Sequence, residues 1–212
     1  MTMPAIEGVH TRPKSKALFD RIRTHVLEGH FPPGHWLKQA ELEETYNATR
    51  SEVRAALSSL SERGMVEYVQ NRGFRIFNRS QDEISQIVEM ITILEAAAAD
   101  GIIRNATPAQ VAELTALANE FDGLIESGSH SELRLLNYRL HSKINQLCGN
   151  DLIARTIQNL RECCITGPFG RYTSYDGLKA SSREHFAIIR LIEARDVSGL
   201  SDILRSHSSH AD

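Results

Sequence analysis

Cysteine is scarce in this chain: 212 residues carry three, Cys148, Cys163 and Cys164. Their spacing suits neither a disulfide framework nor a zinc ribbon, so a reduced, cytoplasmic compartment is the expectation. No run of about eighteen apolar residues occurs, which excludes a helical membrane span. The opening stretch, Met1 to His10, lacks the apolar segment of a signal peptide. Catalytic signatures are missing as well: there is no His-Glu-x-x-His, no nucleophile elbow and no evident general base beside the later histidines. An enzyme is therefore not expected. Repeats and low-complexity segments are also absent. What remains is ordinary globular composition, 41% apolar and 24% charged, rich enough in apolar residues to bury a core.

The net charge of −3 conceals an asymmetry. Residues 1–79 hold 12 Lys and Arg against 9 Asp and Glu, a net of +3, whereas residues 80–212 hold 12 against 18, a net of −6. The basic part suits a polyanion and the acidic part does not. Hydrophobic periodicity divides the chain at the same place, near Asn78–Gln81. Before it, a helix over Ser15–Glu28 buries Leu18, Phe19, Ile22, Val26 and Leu27, and ends before Gly29 and the Phe31-Pro32-Pro33-Gly34 breaker. A short helix over Gln39–Tyr46 precedes the turn Asn47-Ala48. Thr49 and Glu52 form a capping box for a third helix, which points Val53, Ala56, Leu57 and Leu60 inward and stops at Gly64. Two strands, Val66–Val69 and Phe74–Phe77, flank the tip Gln70-Asn71-Arg72-Gly73. Helix, helix-turn-helix, hairpin is the order of a winged helix-turn-helix.

After the boundary the pattern is helical throughout. Ser80/Glu83, Thr107/Gln110 and Ser129/Glu132 are further capping boxes, and Pro108 stands at a first helical position where its missing N–H costs nothing. Six helices are predicted, over 81–104, 108–127, 130–148, 151–166, 180–195 and 197–209, with Thr166–Gly177 as the longest loop. The fold class is thus mainly α: a winged helix-turn-helix over 1–79, and an all-α antiparallel bundle of about six helices over 80–212. Met90 and the run Ala96–Ala99 read as helix packing.

A recognition helix meets base edges near its N-terminus. Arg50 and Arg54 are one turn apart on one surface, continued by the small groups of Ser51, Ala55 and Ser58. The arginine fork matches N7 and O6 of guanine. Thr49, Ser51 and the helix-terminal amides suit a phosphate, and Arg72-Gly73 at a hairpin tip suits the backbone or minor groove. Read alone, Arg-x-x-x-Arg describes any solvated helix face; the preceding short helix and following hairpin argue for DNA.

The series Gly29-His30-Phe31-Pro32-Pro33-Gly34, Leu37, Glu41-Leu42, Thr49-Arg50-Ser51-Glu52-Val53-Arg54-Ala55-Ala56-Leu57, Leu60 and Gly64-Met65-Val66 resembles the N-terminal domain of GntR-family regulators. The span Phe19 to Phe77 follows that pattern almost without gaps. Gln39 departs from it where an acidic residue is usual, and Glu52 where proline is frequent. The remainder resembles the all-helical effector domain of the FadR-like branch. Metal-binding members of that branch use an Asp or Asn, a His four residues on, and two later histidines. The resemblance carries these roles onto Asn137, His141, His185 and His207, with a divalent ion (zinc, nickel or manganese) as cofactor. Four-residue spacing sets Asn137 and His141 on one helix face, and Asp196, between the last two histidines, suits a cap joining two antiparallel helices. Three neutral imidazoles leave metal positions open for a ligand carboxylate; a neutral amide from Asn137 is a weaker fourth donor. Arg134, one turn before Asn137, is the candidate partner for an anionic effector, with Arg161 and Arg171 as weaker ones. His210 is a spare imidazole near the chain end.

The resemblance implies a transcriptional regulator that binds operator DNA as a homodimer, holds a small organic acid at the metal, and has no membrane partner. Three alternatives stay open at this level: the ion itself as the signal, a metal-free pocket lined by the histidines, and a metal-dependent hydrolase.

Overall fold

A computed structural model describes residues 13–164 and 174–209. Among them are nine helices and one small sheet. The first core is built by α1 (Pro13–Leu27), α2 (Gln39–Tyr46), α3 (Arg50–Glu62) and the strands β1 (Trp36–Leu37), β2 (Val66–Val69) and β3 (Gly73–Ile76). Ile22, Val53, Leu57, Leu60, Met65 and Ile76 are fully buried within it. The helix-turn-helix geometry is set at Asn47, which takes φ 50° as the C-cap of α2. Asparagine tolerates that left-handed conformation better than most side chains. Thr49 then restarts the chain with its capping box formed in both directions.

β2 pairs antiparallel with β3, Val66 opposite Ile76 and Val69 opposite Gly73. Asn71 and Gly73 supply the positive φ values that close so tight a tip. β1 is an element that periodicity did not predict. Two residues carry no pattern, and the strand exists because Trp36 and Leu37 find Arg75 and Phe74 of β3 to pair with. The second predicted strand begins one residue earlier than expected, at Gly73 rather than Phe74.

The second core belongs to α4 (Gln81–Asn105), α5 (Pro108–Leu124), α6 (His130–Gln146), α7 (Asp151–Cys164), α8 (Tyr175–Glu193) and α9 (Val197–Ser209). The four capping boxes read from sequence are all formed. Phe121, Leu133, Leu140, Ile144, Leu200 and Leu204 are at its centre. α4 runs alongside α9 on one side and α7 on the other, with Ile84, Val88, Ile91 and Ile157 forming a smaller apolar layer between α4 and α7. Helix α8 starts at Tyr175, five residues before the predicted start. The Ser174 hydroxyl accepts from the Gly177 amide at 3.1 Å, and this local cap outweighs the loop signal of Gly177. Asp196 behaves as expected of a cap, accepting from the Gly199 amide at the start of α9 at 3.0 Å.

The two cores touch. Tyr138 of α6 packs into the first core, Arg79 donates to the Cys163 carbonyl at 3.4 Å, and the Cys163 thiol donates to the Arg63 carbonyl at 3.0 Å. No described helix is long and apolar enough to cross a membrane.

Candidate functional site

The first candidate surface is formed where α3 begins. Arg50, Ser51, Arg54 and Ala55 are exposed while Val53, Ala56 and Leu57 face inward. The Thr49 hydroxyl is occupied by the cap, donating to Glu52 Oε2 at 2.7 Å, so it is the amide end of the helix that is open to an anion. Arg50, Arg72 and Gly73 line one groove together with Lys38, Gln39 and Glu43 of the α2 start. Wing tip and recognition helix thus share a surface although twenty residues separate them. The Arg72 guanidinium lies 4.7 Å from the Trp36 ring centre, and that of Arg75 5.5 Å from it. Trp36 thereby orders the wing arginine through cation–π contact. Trp36 and Lys38 escaped the sequence reading because β1 did; the signal available was one aromatic residue beside a Pro-Pro-Gly breaker.

The second site is a cluster of imidazoles inside the bundle. His141 from α6, His185 from α8 and His207 from α9 are 1%, 0% and 6% exposed, and their donor atoms all lie within 4.8 Å of one another. Each helix delivers its histidine on an inward face: His141 stands between Leu140 and Ile144, and His185 precedes Ile188 and Ile189 by one turn. His141 Nε2 faces His207 Nε2 at 2.9 Å. His185 Nε2 faces Asn137 Oδ1 at 2.9 Å, so the four residues carried over from the family pattern come together. Phe121 packs edge-on to the His185 ring and closes the apolar side.

Around the imidazoles runs a second tier of polar groups, of which the sequence had pointed to Arg161 alone, as a weaker effector partner. Arg161 of α7 donates to His141 Nδ1 at 2.9 Å and holds both oxygens of Glu95 on α4 at 2.9 Å each. Asn145 donates to the same carboxylate at 2.7 Å. Glu184 accepts from His207 Nδ1 at 2.5 Å. Because arginine is only a donor, His141 Nδ1 accepts here and the neutral ring carries its proton on Nε2. Burial first, then the positive charge of Arg161, then the two other imidazoles, hold His141 well below its ordinary pKa. A metal requires a neutral ring, and Nε2 must also give up its proton before it can ligate.

Arg134, the candidate effector partner, lies on α6 one turn before Asn137. Its guanidinium lies beside Gly29, where a Cβ would come within 3.1 Å of it. Position 134 is two helical turns, about 10 Å along the axis, before His141. The arginine that touches the cluster is Arg161, given only as a weaker candidate. Arg171 and His210 lie outside the described residues.

The donor set fits a divalent ion. Nitrogen ligands about 2.0–2.1 Å from a metal sit roughly 2.8–3.0 Å apart when they occupy adjacent right-angled positions. The His141–His207 nitrogen pair has that spacing already, and His185 Nε2 stands equally far from the amide oxygen of Asn137. The Glu184 carboxylate behind His207 is the usual support for a ligating imidazole.

Comparison with known proteins agrees with both halves. The family model for bacterial regulatory proteins, gntR family, matches residues 14–76, and that for the FCD domain matches residues 86–210. The chain is 22% identical over 200 residues to the HTH-type transcriptional repressor RspR of Escherichia coli (strain K12), covering 93% of this chain and 86% of that one. It is 26% identical over 168 residues to the Nta operon transcriptional regulator of Aminobacter aminovorans, covering 78% and 77%. The solved structure of E. coli McbR/YncC superposes with a TM-score of 0.81 at 18% identity over 92% of each chain, a likeness of fold.

Proposed function

This chain belongs to the gntR family of bacterial regulatory proteins, as a transcriptional regulator with a C-terminal FCD domain, and from that premise we propose that an organic acid held at a buried divalent ion controls its grip on operator DNA. His141, His185 and His207 hold the ion with Asn137 at its edge. The bound ion supplies a Lewis-acidic position for a carboxylate oxygen. The protein's own groups do the rest. Glu184 fixes the tautomer of His207, Phe121 keeps one side apolar, and Arg161 and Glu95 join the site to α7 and α4. In the winged half, Arg50 and Arg54 reach base edges while Arg72 and the α3 amides hold the phosphate backbone. Two copies bind together, so that paired recognition helices meet a palindrome.

The observation that carries this reading is the convergence of three buried imidazoles from three different helices. Three buried imidazoles with their donor atoms within 4.8 Å of one another are the nitrogen-rich set that a divalent first-row ion prefers. Elemental analysis of protein purified without chelator tests it: wild type is expected to hold about one equivalent of a first-row metal more than His185→Ala. Absence of metal from wild type, with melting unmoved by added zinc, nickel or manganese, would overturn the reading.

A second reading has its own support. Arg161 donates to His141 Nδ1, so His141 can ligate through Nε2 as a neutral ring only once its proton has moved to Nδ1 and Arg161 has let go. Metal entry by itself then rearranges the contact between α6 and α7, which suits an ion that is the signal. Operator binding measured with and without chelator, at fixed organic acid, separates the two.

A further inference from the structure

A second group of metal-binding side chains stands in the winged half. We propose that His25, Glu28 and His30 form a transition-metal site, distinct from the imidazole cluster of the bundle and independent of its occupancy. The donor atoms of these three residues lie within 4.8 Å of one another. The way the chain ends α1 explains why. Gly29 takes φ +79°, its amide donates to the Val26 carbonyl at 3.0 Å, and the His30 amide donates to the His25 carbonyl at 3.0 Å. These two bonds are the Schellman termination of a helix, in which the residue after the glycine folds back over the third residue from the end. That back-folded pair is ordinarily an apolar contact. Here it is two imidazoles, with ring centres 4.8 Å apart and planes inclined by 23°, and Glu28 between them in sequence has its Oε2 3.5 Å from His30 Nε2.

Three further features of the surroundings suit a ligand set. His25 Nδ1 is 2.6 Å from the Tyr46 hydroxyl, which leaves Nε2 as the ligating atom and supplies the outer hydrogen bond that orients a metal-bound imidazole. Tyr46 itself is 4% exposed, so this support is rigid. A third histidine, His35, lines the same cavity of roughly 290 Å³ as His25 and His30. The neighbouring cation, Lys38, is paired with Glu41 at 2.7 Å, which tempers its repulsion of an incoming ion. Two or three imidazoles and one carboxylate describe a site for zinc, nickel or copper(II) rather than magnesium or calcium. An ion bound here would brace the cap of α1, next to the Gly29 turn against which Arg134 of α6 rests.

Trp36 is the only tryptophan of the chain and lines the same cavity, so its fluorescence reports this site selectively. The experiment is titration of full-length, chelator-stripped protein with copper(II), followed by Trp36 quenching, in wild type, His185→Ala, His30→Gln and Glu28→Gln. Saturable quenching is expected in wild type and unchanged in His185→Ala. In His30→Gln affinity should fall by at least the roughly tenfold that a lost outer partner alone costs, and Tyr46→Phe should show about that tenfold loss. His30 is an exposed side chain, so its replacement leaves the fold intact and the comparison sound. Quenching by His30→Gln and Glu28→Gln at the wild-type midpoint would overturn the site. So would its disappearance in His185→Ala, which would assign the copper to the bundle.

Discussion

The Arg23 guanidinium of α1 is ion-paired with the Glu162 carboxylate of α7, and Glu162 adjoins Arg161, the residue that donates to His141. Glu162 is fully buried; Tyr138 donates to it at 2.6 Å and Gln158 at 3.2 Å. One side chain of the winged half thus reaches the contact between α6, which carries His141, and α7, which carries Arg161, so that a shift of α7 against α6 is felt at α1.

Breaking that pair should both destabilise and uncouple. Arg23→Met leaves a buried carboxylate without its counter-charge, a loss of about 3 kcal/mol, at the lower end of the usual range because Tyr138 and Gln158 still donate. Urea unfolding measures the loss. Operator titrations with and without bound ligand should then show a reduced difference; an unchanged difference would mean that coupling runs elsewhere.

The two arginines of the reading surface should fail in different ways. Arg54→Ala is expected to cost about 1–3 kcal/mol on operator DNA with little loss on random DNA, as for a base contact. Arg72→Ala should weaken both alike and lower the salt dependence by about one counter-ion. Equal losses for Arg54→Ala on the two DNAs would make it a backbone contact.

Acid should weaken the metal-free protein through His141. Burial and Arg161 depress its pKa in the folded state, whereas the unfolded chain keeps the ordinary value of about 6.5. Below that pH the unfolded state binds the extra proton and the folded state resists it. The His141 contribution is therefore present in full above about pH 6.5 and is lost as pH falls toward the depressed folded value. Denaturation of chelated protein between pH 7.5 and 5 should show this slope, and His141→Gln should flatten it.

Gly101 tests the helix packing. A Cβ there would lie 2.1 Å from the Cys148 carbonyl oxygen, a contact with backbone that cannot swing aside. Alanine in mid-helix ordinarily gains about 1 kcal/mol over glycine. Here the clash should reverse the sign, with Gly101→Ala lowering stability by about 1–3 kcal/mol. A raised melting temperature would show that α4 and the end of α6 have room to part.

Local signals settled much of this protein in advance. Capping boxes at Thr49, Ser80, Thr107 and Ser129 needed only residues three apart, so helix starts were legible wherever one was present. The start of α8 was misread because its cap at Ser174 lacks the reciprocal side chain. The family pattern likewise carried Asn137, His141, His185 and His207 together, since helix faces follow from spacing. What no spacing contains is the meeting of distant helices. Arg161 and Glu95 are 66 residues apart and join only because α4 packs on α7; Trp36 becomes a strand and an arginine platform only because β3 lies beside it. Arg134 and Arg161 look alike in sequence, both arginines on amphipathic helices. Tertiary packing sent one toward Gly29 and the other to His141, because a side chain's partner depends on which helix its face is pressed against, and that is a property of the whole fold.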